Sequence, residues 1–303
     1  MSNFIFSKTY NVKTKHITYK FLGFKISKKD KIGILKDEIN YLNKIVNYFG
    51  AKNIPPAEGE FRQWQMECLD IFKIVDKICR ENGIKYWVDF GTLLGTFRHK
   101  GFIPWDDDID VSMLQKDIEK LLPILKTEFE NSNFTVREHA ITCNNYQIRI
   151  RHKNYNAGFD IFPMHISNDS GYTQQEAERI AKNIKKDRAD FNKKHKKLNF
   201  KKAQNEIIKW NKQNTKYSLD ENSILIRGIE FPYEENYIVM PYDEIFPLKE
   251  TFFEDLKVYI PNKSEEYLSH LWKDWEKVPT GIGQIRHYYK DYRNNLHIYS
   301  EDD

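Results

Sequence analysis

The stretch Gly101-Phe102-Ile103-Pro104-Trp105-Asp106-Asp107-Asp108-Ile109-Asp110-Val111 puts four carboxylates within five positions and runs into an apolar–polar alternation. On a strand, successive side chains alternate faces, so Asp108 and Asp110 point the same way while Ile109 and Val111 turn into a core. Two carboxylates held close together at reduced dielectric repel unless a cation or a proton intervenes. Hard oxygen ligands with open positions suit Mg2+ or Mn2+ and leave room for phosphate oxygens. A third carboxylate is expected from a neighbouring strand, and Asp160, within the alternating Gly158-Phe159-Asp160-Ile161-Phe162, is the best candidate. A calcium loop fits poorly, because Val111-Ser112 follow Asp110 where such a loop needs glycine. Asp107 is expected to be solvated.

Upstream, Ile84 to Phe90 is rich in aromatic and β-branched residues and reads as a strand. Gly91-Thr92-Leu93-Leu94-Gly95 reads as a turn leaving it, whose small residues let backbone N–H groups approach a phosphate. From Phe61, the residues Trp64, Cys68, Ile71, Phe72, Val75 and Cys79 share one helix face that stops near Asn82-Gly83. Downstream, a strand over Asp108 to Met113 leads into a helix over about 116–130, then strands at 145–152 and 157–162. A charged helical region over 173–215 follows, and the last third mixes short strands with a helix from Ser264 to Trp275. The order is α+β and not a regular βαβ alternation, and no internal repeat is present. Ahead of the linker Asn53-Ile54-Pro55-Pro56-Ala57-Glu58-Gly59, the chain predicts a basic hairpin about Gly23. An amphipathic helix with Leu35, Ile39, Leu42, Val46 and Phe49 on one face comes next.

The 303 residues are 40% hydrophobic and 15% aromatic, which argues for a folded chain. The net charge of +4 hides a segregation: residues 1–31 hold eight Lys against one Asp, and residues 179–202 hold eleven Lys or Arg against two Asp. The remainder is therefore acidic, at −12. Residues 179–202 offer only Phe191 and Phe200 for base stacking, so no nucleic-acid partner is expected. No apolar run approaches the roughly 18 residues of a membrane span, and the N-terminus lacks a secretory pattern. Cys68 and Cys79 on one helix stand about 16 Å apart, too far to bridge, and no CxxC or HExxH pattern suggests zinc. The expected compartment is reducing cytoplasm.

The run Gly91-Thr92-Leu93-Leu94-Gly95-Thr96-Phe97-Arg98-His99-Lys100-Gly101, continuing through Pro104-Trp105-Asp106-Asp107-Asp108-Ile109-Asp110, closely resembles the signature of the LicD family. These are phosphotransferases with a nucleotidyltransferase-type fold, including bacterial phosphocholine transferases, with fukutin-related protein among their relatives. The resemblance extends from about Phe61 to Pro279, takes in Phe159-Asp160-Ile161-Phe162-Pro163, and leaves the first 60 residues outside. It implies an α+β, nucleotidyltransferase-like mixed sheet flanked by helices, with a basic N-terminal extension. The implied organisation is a segment 1–60, a catalytic domain 61–280 (core 61–165, helical and mixed part 166–280) and a tail 281–303.

By the same resemblance Asp108 and Asp110 are the metal-binding pair, and Asp160 is a third ligand or the general base. Asp106 is a further ligand or a catalytic partner. Gly91 and Thr92 form the phosphate-approach turn, and Arg98 clamps a diphosphate bidentately unless it pairs with one of the Asp residues. Arg149 and Arg151, on one face of the strand before Asp160, are further candidates for a phosphate contact. The implied reaction is Mg2+- or Mn2+-dependent transfer of phosphocholine or a polyol phosphate from a CDP-linked donor. The acceptor is a hydroxyl of a cell-surface glycan, of the lipopolysaccharide or capsule type, or of its precursor. The alternative is nucleotidyl transfer from an NTP to a small molecule. A cytoplasmic enzyme is expected, with its basic N-terminal segment in peripheral contact with anionic lipid.

Overall fold

Phe61, Gln65, Cys68, Leu69, Phe72, Val75 and Cys79 recur at helical spacing and are all buried along one side of α1 (Gly59–Glu81). The helix ends where Asn82 N–H donates to the Ile78 carbonyl and Gly83 takes a φ of +63°, a left-handed conformation that glycine adopts without strain. The computed structural model describes residues 53–141, 145–153, 158–167, 171–195, 218–228 and 238–277, three strands before residue 30 and a few isolated positions. These fall into two compact units, one holding the residues up to Ile54 together with 276–277 and the other those from Pro55 to Trp275.

In the first unit, β1 (Phe6–Asn11), β2 (His16–Phe21) and β3 (Phe24–Lys29) form an antiparallel sheet. The expected hairpin about Gly23 is present as β2–β3 and gains a third strand. The amphipathic helix expected between Leu35 and Phe49 lies outside the described residues except for Tyr41 and Leu42, which are helical and exposed.

The second unit is α+β, as expected. After α1 come β4 (Trp87–Val88), α2 (Phe90–Arg98), β5 (Asp108–Leu114) and α3 (Gln115–Glu128). Then follow β6 (Phe134–Ile141), β7 (Asn145–His152), β8 (Gly158–Ser167) and α4 (Gln174–His195). Next are β9 (Ile224–Arg227), β10 (Ile238–Pro241) and α5 (Tyr242–Ile245). The hairpin β11 (Lys249–Phe253) and β12 (Leu256–Ile260) leads into α6 (Ser264–Leu271). Seven strands make one mixed sheet in the order β10-β9-β8-β5-β4, with β7 also on β8 and β6 beyond β7. The β5–β8 pair is parallel and the others are antiparallel.

β8 is the hub of this sheet. Its first half lies between β5 and β7 and its end pairs with β9. All ten of its residues are buried, as befits a central strand covered on both faces. Ile109, Val111, Met113, Ile148, Ile150, Phe159 and Ile161 form the apolar face. Phe72 of α1 packs on that face, its ring 5.2 Å from that of Phe159. Full burial of each such side chain contributes about 1.5–3 kcal/mol. A smaller cluster joins Ile180 and Ile184 of α4 to Ile224 and Ile226 of β9.

Two expectations need correction. The strand over Ile84–Phe90 shrinks to Trp87–Val88, and Gly91–Gly95 is not a turn but the body of α2. The cause is Asp89: its carboxylate accepts from Phe90 N–H and its carbonyl from Leu93 N–H, which caps a helix where the apolar run suggested a strand. At the other end, α6 stops at Leu271 and not at Trp275. Among the described residues no helix is long and apolar enough to cross a membrane.

Candidate active site

The parallel register sets Asp110 opposite Asp160, and strand alternation turns both, with Asp108, away from the apolar face. Each of the three offers a carboxylate oxygen, and these oxygens lie within 4.8 Å of one another. Asp106, Asp107 and Asp108 form a second such group. The three carboxylates predicted to meet are thus brought together by strands whose facing residues lie about 50 positions apart in the chain.

Their electrostatics differ. Asp108 keeps some surface open, but desolvation, then Asp107 and Asp160, push its carboxyl up to about 7. Burial, and then the neighbouring Asp108, hold Asp106 and Asp110 well above the usual carboxylate range. Asp160 goes the other way. Burial alone would raise it, yet Arg151 and Arg149 outweigh that effect and hold it low. Arg151 grips both Asp160 oxygens, at 2.6 and 2.8 Å, Gln147 donates at 3.0 Å, and Arg149 Nε donates at 3.3 Å. Both arginines proposed for a phosphate therefore meet Asp160.

The remaining predicted residues surround the acidic strand. Thr92 is buried and its hydroxyl accepts from Asp110 N–H at 2.8 Å, which ties α2 to β5. Gly91 lies against Asp106: a Cβ there would stand 2.4 Å from Oδ2. Arg98 is buried, donates to the Trp275 carbonyl at 3.1 Å, and is lowered to about 10 by burial, with the Asp106 charge opposing that shift. The loop from Lys100 to Asp107 is held from outside. Gln65 donates to the Ile103 and Asp106 carbonyls, and the Glu254 carboxylate, itself paired with Arg62 at 2.7 Å, accepts from Phe102 N–H.

Sequence reasoning missed the partners of Asp89. This buried residue accepts from Phe90 N–H, Arg227 at 2.9 Å, Tyr267 at 2.9 Å and Ser112. Ser112 was legible, two residues past Asp110 on the same strand face. Arg227 and Tyr267 carried no local signal. Gln147 was legible in the same way, sharing a face with Arg149 and Arg151.

Residues 83–195 match the family described as LicD/FKTN/FKRP, nucleotidyltransferase domain. The Haemophilus influenzae lipopolysaccharide cholinephosphotransferase LicD is 43% identical over 63 residues, 21% of this chain and 24% of that protein. A Rickettsia prowazekii protein, RP689, is 39% identical over 71 residues, 23% of this chain and 26% of its own. Human ribitol 5-phosphate transferase FKRP is 31% identical over 68 residues, 21% of this chain and 14% of its own. The matches span about a quarter of the length of the first of these curated relatives. Residues 83–195 of this chain are thus similar to the LicD/FKTN/FKRP nucleotidyltransferase domain.

Proposed function

We propose that this LicD-type domain transfers a substituted phosphate, such as phosphocholine or a polyol phosphate, from a CDP-linked donor to a hydroxyl of a glycan or glycan precursor. The convergence of Asp108, Asp110 and Asp160 on one sheet face is the observation that carries the reading. A set of carboxylate oxygens, two of them raised first by burial and then by neighbouring carboxylates, fits Mg2+ or Mn2+, with Asp108 and Asp110 as the principal ligands and Asp160 as the third. When bound, such a cation neutralises charge on the diphosphate and on the leaving nucleotide.

The chain's own residues supply the rest. Asp106 takes the proton of the attacking hydroxyl: its carboxylate is met by the backbone of Asp107, and among the described residues no guanidinium grips both its oxygens as Arg151 grips Asp160. Asp160 has both oxygens engaged by Arg151, which suits it to ligation and positioning more than to proton transfer. The N-terminal turn of α2 lies beside Asp106 and Asp110 through Gly91 and Thr92, where its backbone N–H groups and the positive end of the helix dipole would favour a phosphate. Arg98 then supports Asp106 and does not clamp the donor.

The test is incubation with CDP-choline, CDP-ribitol, CDP-glycerol or CTP in Mg2+, scoring CMP against pyrophosphate. CMP release from one CDP-linked donor is expected; pyrophosphate from CTP would establish nucleotidyl transfer instead. Asp110→Asn is expected to lower turnover by about a hundredfold or more. Near-native turnover of that variant in saturating Mg2+ would rule out the cation assignment.

A further inference from the structure

The sheet face that carries the acidic pair continues past it. Asp110 of β5 stands opposite Asp160 of β8, Asp160 opposite Arg149 of β7, and Arg149 opposite Arg137 of β6. Opposed residues on neighbouring strands point to the same side, and each strand adds about 4.8 Å, so two acids followed by two arginines form a row roughly 15 Å long. Val136 and Ile150, one position away on their strands, turn to the apolar side, which fixes the direction of the row.

The arginines around Asp160 are not equivalent. Arg151 reaches Asp160 through the space left by Gly158, where a Cβ would stand 2.2 Å from its Nη1. Its two terminal nitrogens both bind Asp160, so its charge is already matched. Arg149 adds only the 3.3 Å bond from Nε, and its side chain keeps 26% of its surface exposed. Arg137, next outward in the row, is exposed. Asp160 thus has one bidentate partner, and the second guanidinium reaches it through Nε alone.

We infer that Arg149, with Arg137 beside it, forms a phosphate subsite adjoining the acidic pair. It takes the substrate phosphate that lies farther from Asp108 and Asp110. A planar guanidinium on an open sheet face can offer two parallel N–H donors to phosphate oxygens, which a point charge cannot. The inference rests on the reading of this site as one for phosphoryl transfer. The phosphate could belong to the donor's diphosphate or to a phosphorylated acceptor.

Binding of inorganic pyrophosphate and of glucose 1-phosphate to the full chain in Mg2+, followed by calorimetry, separates these sources. Arg149→Ala is expected to weaken one of the two probes about tenfold or more while still unfolding in a single cooperative transition, and Arg137→Ala to weaken the same probe by less. Arg149→Lys should fall between wild type and Arg149→Ala. A loss confined to pyrophosphate places the subsite on the donor side, and a loss confined to glucose 1-phosphate places it on the acceptor side. Unchanged affinity of both variants for both probes, or no binding of either probe by the wild type, overturns the inference. If no CDP-linked donor releases CMP while pyrophosphate binding still depends on Arg149, the proposed reaction falls and the subsite stands.

Discussion

Asp108 sits between Asp107 and Asp160 with little solvent to spread its charge, so its proton is held up to about pH 7 when no cation is present. The folded-state value lies above the unfolded one. The stabilisation that this carboxyl provides is therefore fully present below about pH 4 and is lost as the pH rises through about 7. Chemical denaturation in chelator at pH 6 and pH 8 should show lower stability at pH 8. Mg2+ or Mn2+ should restore it at pH 8, because the cation then takes the place of the proton. An equal stability at both pH values in chelator would contradict the electrostatic picture of the site. The pairing of Asp108 with Asp110 was legible from alternation alone. The opposite behaviour of Asp160 was not, because it depends on which strand lies beside β8.

At the scale of elements, the acidic loop is shaped by parts distant in the chain. The turn between β11 and β12 carries Glu254 at a φ of +52°, and its N–H donates to the Lys100 carbonyl at 3.0 Å. Its carboxylate then lies so close to Gly101 that a Cβ there would stand 2.2 Å from Oε1. Glu254→Ala leaves Phe102 N–H and Arg62 without this partner and should cost about 1–3 kcal/mol in urea unfolding. The same variant should weaken Mg2+ binding, since the ligand Asp108 follows directly on the released loop. The β11–β12 hairpin was legible only as short strands, and its grip on residues 100–102 had no signal in the sequence. Helix α2 shows the reverse case. Its N-cap, Asp89, was visible as a residue type, but the aromatic and β-branched run before it favoured a longer strand.

For the whole molecule, the charge segregation seen in the composition divides between the units. The acidic remainder includes the carboxylates of β5 and β8, while residues 1–31, which belong to the first unit, hold eight Lys against one Asp. A well-placed Lys near anionic lipid contributes about 1 kcal/mol. Removal of residues 1–31 is expected to reduce binding to phosphatidylserine vesicles in low salt and to leave CMP release from a soluble donor unchanged. Vesicle binding that is unaffected by the truncation would leave this segment without a lipid role. The second basic run begins on α4, where Ile180 and Ile184 pack against β9 while Arg179, Lys182, Lys185 and Lys186 are exposed.

By itself the sequence determined which residues alternate on β5, where α1 runs, and that Asp108 and Asp110 share a face. Each of these follows from local periodicity, which neighbouring residues carry between them. Only the tertiary structure decided that Asp160 meets Asp110, that Arg151 grips both Asp160 oxygens while Arg149 reaches it through Nε alone, and that Asp89 is held by Arg227 and Tyr267. Those last two partners lie 138 and 178 residues away from Asp89 along the chain. Contacts of that range are set by strand order, register and helix packing, which no local window contains. The acidic strand announced the chemistry, and the strands beside it decided how its charges are balanced.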